Sequence, residues 1–112
     1  MKSVLIVEED DDLREALKEL LELYGYEVEQ TSSGHEALTL LAARNPHPCV
    51  LVDAQVEGGA ELLEEISSQG GAISAIAFSA VPLPGVPNVT VLRKPFDPEL
   101  LLELVKQRCR FQ

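Results

Sequence analysis

Five short apolar runs, set apart by stretches of helical periodicity, leave this chain few folds to choose from. Val4 to Val7 and Val50-Leu51-Val52 are continuous and largely β-branched, the pattern of strands buried on both faces. Tyr26 to Thr31, Ala72 to Phe78 and Val89 to Leu92 complete the set. Between the first two, Leu13, Ala16, Leu17, Leu20, Leu21 and Tyr24 recur at helical spacing, with an aspartate as cap and Gly25 as terminator. Ser33 caps a second helix carrying Ala37, Leu38, Leu41 and Ala42, which stops before Asn45-Pro46. Gly58-Gly59 precedes a third with Leu62, Leu63 and Ile66, and Gly70-Gly71 closes it. A last helix opens with Asp97 as cap and Pro98 at its first position, and carries Leu100, Leu101, Leu104 and Val105.

The alternation fails once. Between Ala80 and Thr90 stands Val-Pro-Leu-Pro-Gly-Val-Pro-Asn-Val, whose prolines and glycine leave no room for an α-helix of useful length. That segment is predicted to be loop. Alternating strands and helices imply a parallel sheet covered on both faces. The expected fold is therefore α/β, a doubly wound, flavodoxin-like five-stranded sheet of order 2-1-3-4-5 with its fourth helix replaced by a loop. Such sheets bind ligands beyond the carboxyl ends of their strands, where the strand order reverses. Glu8 and Glu9 end the first strand, Asp53 the third, Ser79 the fourth and Lys94 the fifth. These polar groups converge on one edge.

Composition narrows the possibilities further. The 112 residues suffice for one core, so residues 1–112 are read as a single domain. No apolar run is long enough to span a bilayer, and the first strand passes at once into acids without a cleavage site. Membrane insertion is excluded on this reading and a cytoplasmic location expected. A net charge of −10 with scattered basic residues argues against direct binding of nucleic acid. Arg93 and the basic residues from Lys106 to Arg110 are expected to balance nearby acids. Cys49 and Cys109 have neither metal spacing nor a disulfide framework and read as core filler and surface residue. His35 and His47 read as surface residues.

Carboxylates crowded at strand ends repel one another, by about 4 kcal/mol at ~4 Å in a surface-like dielectric. A divalent cation relieves that penalty, and Mg²⁺ suits a site offering a few carboxylate oxygens and room for water. A lysine and a hydroxyl facing the same spot complete a set matched to a phosphoryl group in transfer. Asp53 is the nucleophile of such a set.

At these positions the sequence resembles the receiver domains of two-component response regulators. Val4-Leu5-Ile6-Val7-Glu8-Glu9-Asp10 with Leu13-Arg14 is similar to the acidic first-strand motif, and Val50-Leu51-Val52-Asp53 to the phosphoacceptor strand. Phe78-Ser79-Ala80 resembles the hydroxyl strand and Lys94-Pro95-Phe96 the lysine motif. The matches run in order over nearly the whole chain. The resemblance implies that Glu8 and Glu9 hold Mg²⁺, Glu9 directly and Glu8 through water, with Asp53 and the backbone carbonyl of Gln55 as further ligands. It implies that Asp53 accepts a phosphoryl group from a histidine kinase, a phosphotransfer protein or a small phosphodonor. Ser79 and Lys94 then contact that group, and the Lys94-Pro95 bond is cis. The output partner is a protein the sequence does not identify. At most the chain catalyses its own phosphorylation and dephosphorylation; it is not a conventional enzyme.

Three features depart from the family. The second acid is Glu9 where Asp is usual, and the loop Ala54-Gln55-Val56-Glu57-Gly58-Gly59 is short. Ser79 and Lys94 are nearer in sequence than usual, by about the length of the fourth helix, and Val91 stands where an aromatic residue is usual. These features keep open an alternative, a phosphorylation-independent pseudo-receiver that acts as a protein-binding module. A phosphatase of the haloacid-dehalogenase type would need an acid two residues after Asp53, where Gln55 stands. The last helix ends close to Gln112, so the chain is expected to be a stand-alone regulator or a receiver cut from a longer protein.

Overall fold

A computed structural model describes residues 2–109. Met1 and residues 110–112 lie outside the described residues. Five strands, β1 (Ser3–Val7), β2 (Glu27–Thr31), β3 (Cys49–Asp53), β4 (Ala75–Ser79) and β5 (Val89–Arg93), form one parallel sheet of order β2-β1-β3-β4-β5. Helices α1 (Asp11–Leu23), α2 (Gly34–Ala42) and α3 (Gly59–Ser68) follow β1, β2 and β3, and α4 (Pro98–Arg108) follows β5. The expected α/β fold and strand order are what the chain adopts. Among the described residues no helix is long and apolar enough to cross a membrane.

Strand periodicity sorts the core into two layers. Val4, Ile6, Leu51, Ile76 and Phe78 face α1 and α4, meeting Leu17, Leu21, Leu101 and Val105. Leu5, Val7, Val50, Val52, Ala75 and Ala77 face the other way, against Ala37 and Leu41 of α2 and Leu62 and Ile66 of α3. Both faces of β3 and β4 are therefore buried, which is why their sequences carry no polar alternation. Capping follows the sequence. The Asp10 carboxylate accepts from the N–H groups of Asp12 and Leu13, Ser33 Oγ from Glu36 N–H, and the Asp97 carboxylate from Glu99 N–H. Gly25, just past α1, has φ +89°, a conformation an L side chain rarely adopts.

The connection from β4 to β5 is an extended segment without a helix, as its prolines dictate. Leu83 packs against the second core layer in place of a helix, and a groove of about 550 Å³ opens between this segment and α3. Val91 of β5 is 38% exposed.

The reading of the cysteines needs correction. Cys49 begins β3 and Cys109 follows α4; both are buried and joined as a disulfide, with Cα atoms 5.6 Å apart. They are 60 residues apart in sequence, and only the docking of α4 on the sheet brings them together. His47 is half-buried rather than superficial, with a buried Nδ1 that lacks a hydrogen-bond partner. Arg93 turns to the Ala80 carbonyl, at 3.4 Å, rather than to an acid.

Candidate functional site

The carboxyl ends of β1, β3, β4 and β5 meet at the edge where the strand order reverses. Glu8 follows Val7, and its backbone N–H donates to the Thr31 carbonyl at 3.0 Å, continuing the ladder. Its side chain is thereby carried inward and is fully buried. Asp53 closes β3 and Ser79 closes β4; the first is 6% exposed and the second 0%. Lys94 follows β5 directly, fixed by its N–H to the Ser79 carbonyl at 2.8 Å. Four polar side chains are thus held by sheet backbone rather than by mobile loop.

Lys94 joins the two acids. Its Nζ lies 2.6 Å from Glu8 Oε1 and 2.7 Å from Asp53 Oδ2, and it sits 5.5 Å from the centre of the Phe78 ring. Phe78 is in turn packed on Phe96, with ring centres 5.4 Å apart, so the lysine stem runs beside an aromatic pair. The Lys94-Pro95 bond is cis, as the resemblance implies, and so is Asn45-Pro46. The remaining oxygens have backbone partners. Glu8 Oε2 accepts from Asp10 N–H at 3.1 Å, and Asp53 Oδ1 accepts from Gln55 N–H at 2.8 Å. Arg14 does not enter the cluster; it donates to the Glu8 carbonyl at 2.7 Å and pairs with Asp11.

One cation between two anions leaves an excess negative charge in a buried place. Burial pushes the Glu8 carboxyl above its ordinary value; hydrogen bonds from Lys94 and Asp10 pull the other way, and the Asp53 charge adds to the rise. Burial alone would lower Lys94, but its hydrogen bonds to Asp53 and Glu8 outweigh that and leave the ammonium above its ordinary value. Both directions follow from one fact. Two carboxylates stabilise the single ammonium, while the more deeply buried acid carries the unbalanced charge.

Glu9 stands apart from this group. It is exposed, and among the described residues it makes no hydrogen bond or ion pair. Among the described residues no group of three His, Cys, Asp or Glu is arranged to hold a metal ion. Two carboxylates, Glu8 and Asp53, with the neighbouring carbonyl of Gln55, are nevertheless hard oxygen donors of the type Mg²⁺ accepts alongside water and phosphate. The donor set fits that ion in kind.

Sequence reasoning valued Gln55 for its carbonyl alone, whereas its side chain also takes part. Nε2 donates to Ser79 Oγ at 2.8 Å, and Oε1 accepts from the backbone N–H of Ala80 at 3.3 Å and from Ser79 Oγ at 3.1 Å. Ser79 Oγ is also engaged by Val81, donating to its carbonyl at 2.6 Å and accepting from its N–H at 3.1 Å. A long amide two residues after Asp53 was the one available signal.

The sequence model of the family described as "Response regulator receiver domain" matches residues 4–106. The chain is 31% identical over 114 aligned positions to the transcriptional regulatory protein FixJ of Azorhizobium caulinodans, covering 92% of this chain and 53% of that protein. It is 33% identical over 79 positions to the response regulator MprA of Mycolicibacterium vanbaalenii, covering 69% of this chain and 34% of the relative. The chain thus spans about half the length of one curated relative and aligns with about a third of the other. Among solved structures it resembles the response regulator TrrA of Thermotoga maritima in complex with Mg²⁺-BeF, with TM-score 0.81 and 29% identity over 96% of this chain and 98% of that one.

Proposed function

The chain belongs to the response regulator receiver domain family, and from that premise we propose that it is a phosphoreceiver whose acceptor is Asp53. The observation that carries this reading is the buried Asp53 carboxylate at the end of β3, bridged through Lys94 to Glu8. One Asp53 oxygen attacks the phosphorus of a phosphohistidine or acyl phosphate. The new P–O bond forms as the bond to the donor breaks, and the leaving group departs with that electron pair. Lys94 balances charge on the equatorial oxygens, and the Ser79 hydroxyl and Ala80 N–H supply hydrogen bonds to them. Glu8, Asp53 and the Gln55 carbonyl would hold Mg²⁺, with Glu9 free to join them from the surface. When bound, that ion supplies positive charge against the phosphoryl oxygens. Water later cleaves the acyl phosphate and restores the carboxylate.

The donor is a sensor histidine kinase or a phosphotransfer protein, and the product is a changed affinity for an output protein. The TrrA structure, named as a complex with Mg²⁺-BeF, supports the metal-dependent part of this proposal. The net charge of −10 supports a protein partner over direct nucleic-acid binding. Residues 1–112 act as one receiver unit on this reading. The phosphorylation-independent alternative finds no support in the comparisons.

Intact-protein mass after incubation with acetyl phosphate and Mg²⁺ tests the proposal. One added phosphoryl group, lost with EDTA and absent from Asp53→Asn, is the expected result. Labelling that persists in Asp53→Asn, or no labelling of the folded protein beside a labelled control receiver, would overturn it.

A further inference from the structure

We propose that the Gln55 side chain is an internal stand-in for the phosphoryl group, holding the Ser79 hydroxyl and the Ala80 N–H until it is displaced; this rests on Asp53 being the acceptor. A hydroxyl has one proton to give and two lone pairs to receive with. At Ser79 all three are in use: the lone pairs take Val81 N–H at 3.1 Å and Gln55 Nε2 at 2.8 Å, and the proton is shared between two acceptors, the Val81 carbonyl at 2.6 Å and Gln55 Oε1 at 3.1 Å. Ala80 N–H, the next donor along the strand end, is spent on Gln55 Oε1 at 3.3 Å. The carboxamide thus covers both groups that would face a phosphoryl group grown on Asp53.

Displacement is easy by construction. Gln55 is exposed, so its side chain can turn into solvent and hydrogen-bond water there. Its backbone is held independently, through its N–H to Asp53 Oδ1 at 2.8 Å, so the carbonyl proposed for the metal need not move with it. Ser79, by contrast, is fully buried and cannot find water. In the absence of a phosphoryl group the carboxamide satisfies it; in its presence the two compete. Gln55 is therefore a positioning residue that raises the concentration of phosphoryl ligand needed to engage Ser79.

Beryllofluoride with Mg²⁺, a phosphoryl mimic, is the probe, titrated into the 112-residue chain and followed through the amide resonance of Ala80. Losing these neutral hydrogen bonds, Gln55→Ala should half-saturate at a roughly tenfold lower beryllofluoride concentration than wild type. Gln55→Glu keeps an acceptor for Ala80 N–H but puts a negative charge beside the incoming anion, and should half-saturate at a higher concentration than wild type. A purely structural role predicts loss of binding in both variants. The Mg²⁺ midpoint measured without beryllofluoride should stay within about twofold in Gln55→Ala. A gain in that midpoint equal to the beryllofluoride gain would overturn the inference, because the effect would then lie in the metal. Binding by wild type with equal or weaker binding by Gln55→Ala would overturn it while leaving the phosphoreceiver reading intact. Neither beryllofluoride binding nor acetyl phosphate labelling in either protein would overturn both.

Discussion

Replacing Lys94 by Met tests the electrostatic account of the site, in metal-free protein where no cation can substitute. Methionine keeps the apolar stem beside Phe78 and removes only the ammonium. Glu8, with a side chain 1% exposed, then loses the one cation paired with it among the described residues, while Asp53 remains nearby. Removing one partner of a buried ion pair costs about 3–5 kcal/mol. Lys94 is itself 19% exposed, so water screens part of its charge and the lower end, about 3 kcal/mol, is expected. The loss must depend on pH with a fixed sign. The Glu8 carboxyl is already raised by burial, and without Lys94 it rises further. A carboxyl raised in the folded state binds protons more tightly there than when unfolded, so stability falls as pH climbs through the raised value. The gap between Lys94→Met and wild type should therefore narrow on acidification toward the ordinary glutamate range.

Urea unfolding followed by circular dichroism measures this, since the chain has no tryptophan to report by fluorescence. At near-neutral pH in EDTA the midpoint should drop by roughly 1–2 M. In a Glu8→Gln background the same substitution should cost less, because Asp53 alone is then left without its cation. A loss below about 1 kcal/mol in the wild-type background, or an equal loss in both backgrounds, would refute the claim that Lys94 neutralises Glu8.

Further expectations come from other parts of the fold. Wild-type stability should decline as pH rises past the ordinary lysine value of about 10.4, because the Lys94 ammonium is favoured in the folded state; equilibrium unfolding across that range checks it, and Lys94→Met should flatten the decline. Non-reducing denaturation should expose no free thiol, and Cys49→Ser with Cys109→Ser should lower stability by about 4 kcal/mol in the chain-entropy account of a 60-residue separation. Two titratable thiols in air-oxidised protein would contradict that bond. Gly34→Ala should cost about 2–3 kcal/mol in a urea melt, because a Cβ there overlaps the Gly58 carbonyl where α2 meets the start of α3; a neutral effect would mean the two helix ends are free to separate.

What sequence could and could not reveal here divides along the range of the interactions involved. The strands were legible because burial on both faces demands unbroken apolar runs, and Val50-Leu51-Val52 and Ala75 to Phe78 have no polar residue to mislead. The missing helix was legible because proline acts locally, on its own φ and its own N–H. Convergence of Glu8, Asp53, Ser79 and Lys94 needed only the strand order, which alternating elements nearly force. The failures are of another kind. Cys49 and Cys109 meet through the docking angle of α4, and no local pattern encodes that angle. The roles that the resemblance gives Glu8 and Glu9 say nothing of burial, yet the first is buried against Lys94 and the second lies in solvent, because successive residues beyond a strand end face opposite ways.

Gln55 shows the same limit at the centre of the site. As a sequence position it is two residues from Asp53, and only its backbone carbonyl suggested a use. In space its carboxamide reaches the end of the neighbouring strand, where Oε1 accepts from Ala80 N–H and from the Ser79 hydroxyl, the donors that a phosphoryl group on Asp53 would need. A shorter side chain would leave the buried Ser79 with one hydrogen-bond partner fewer; a charged one would set an anion where another must arrive. Glutamine has the length and neutrality to complete the strand ends while yielding to a stronger acceptor. The resting site is consequently closed by two polar links, Lys94 across the acids and Gln55 across the hydroxyl. A phosphoryl group must open the second to gain what the first already holds in place.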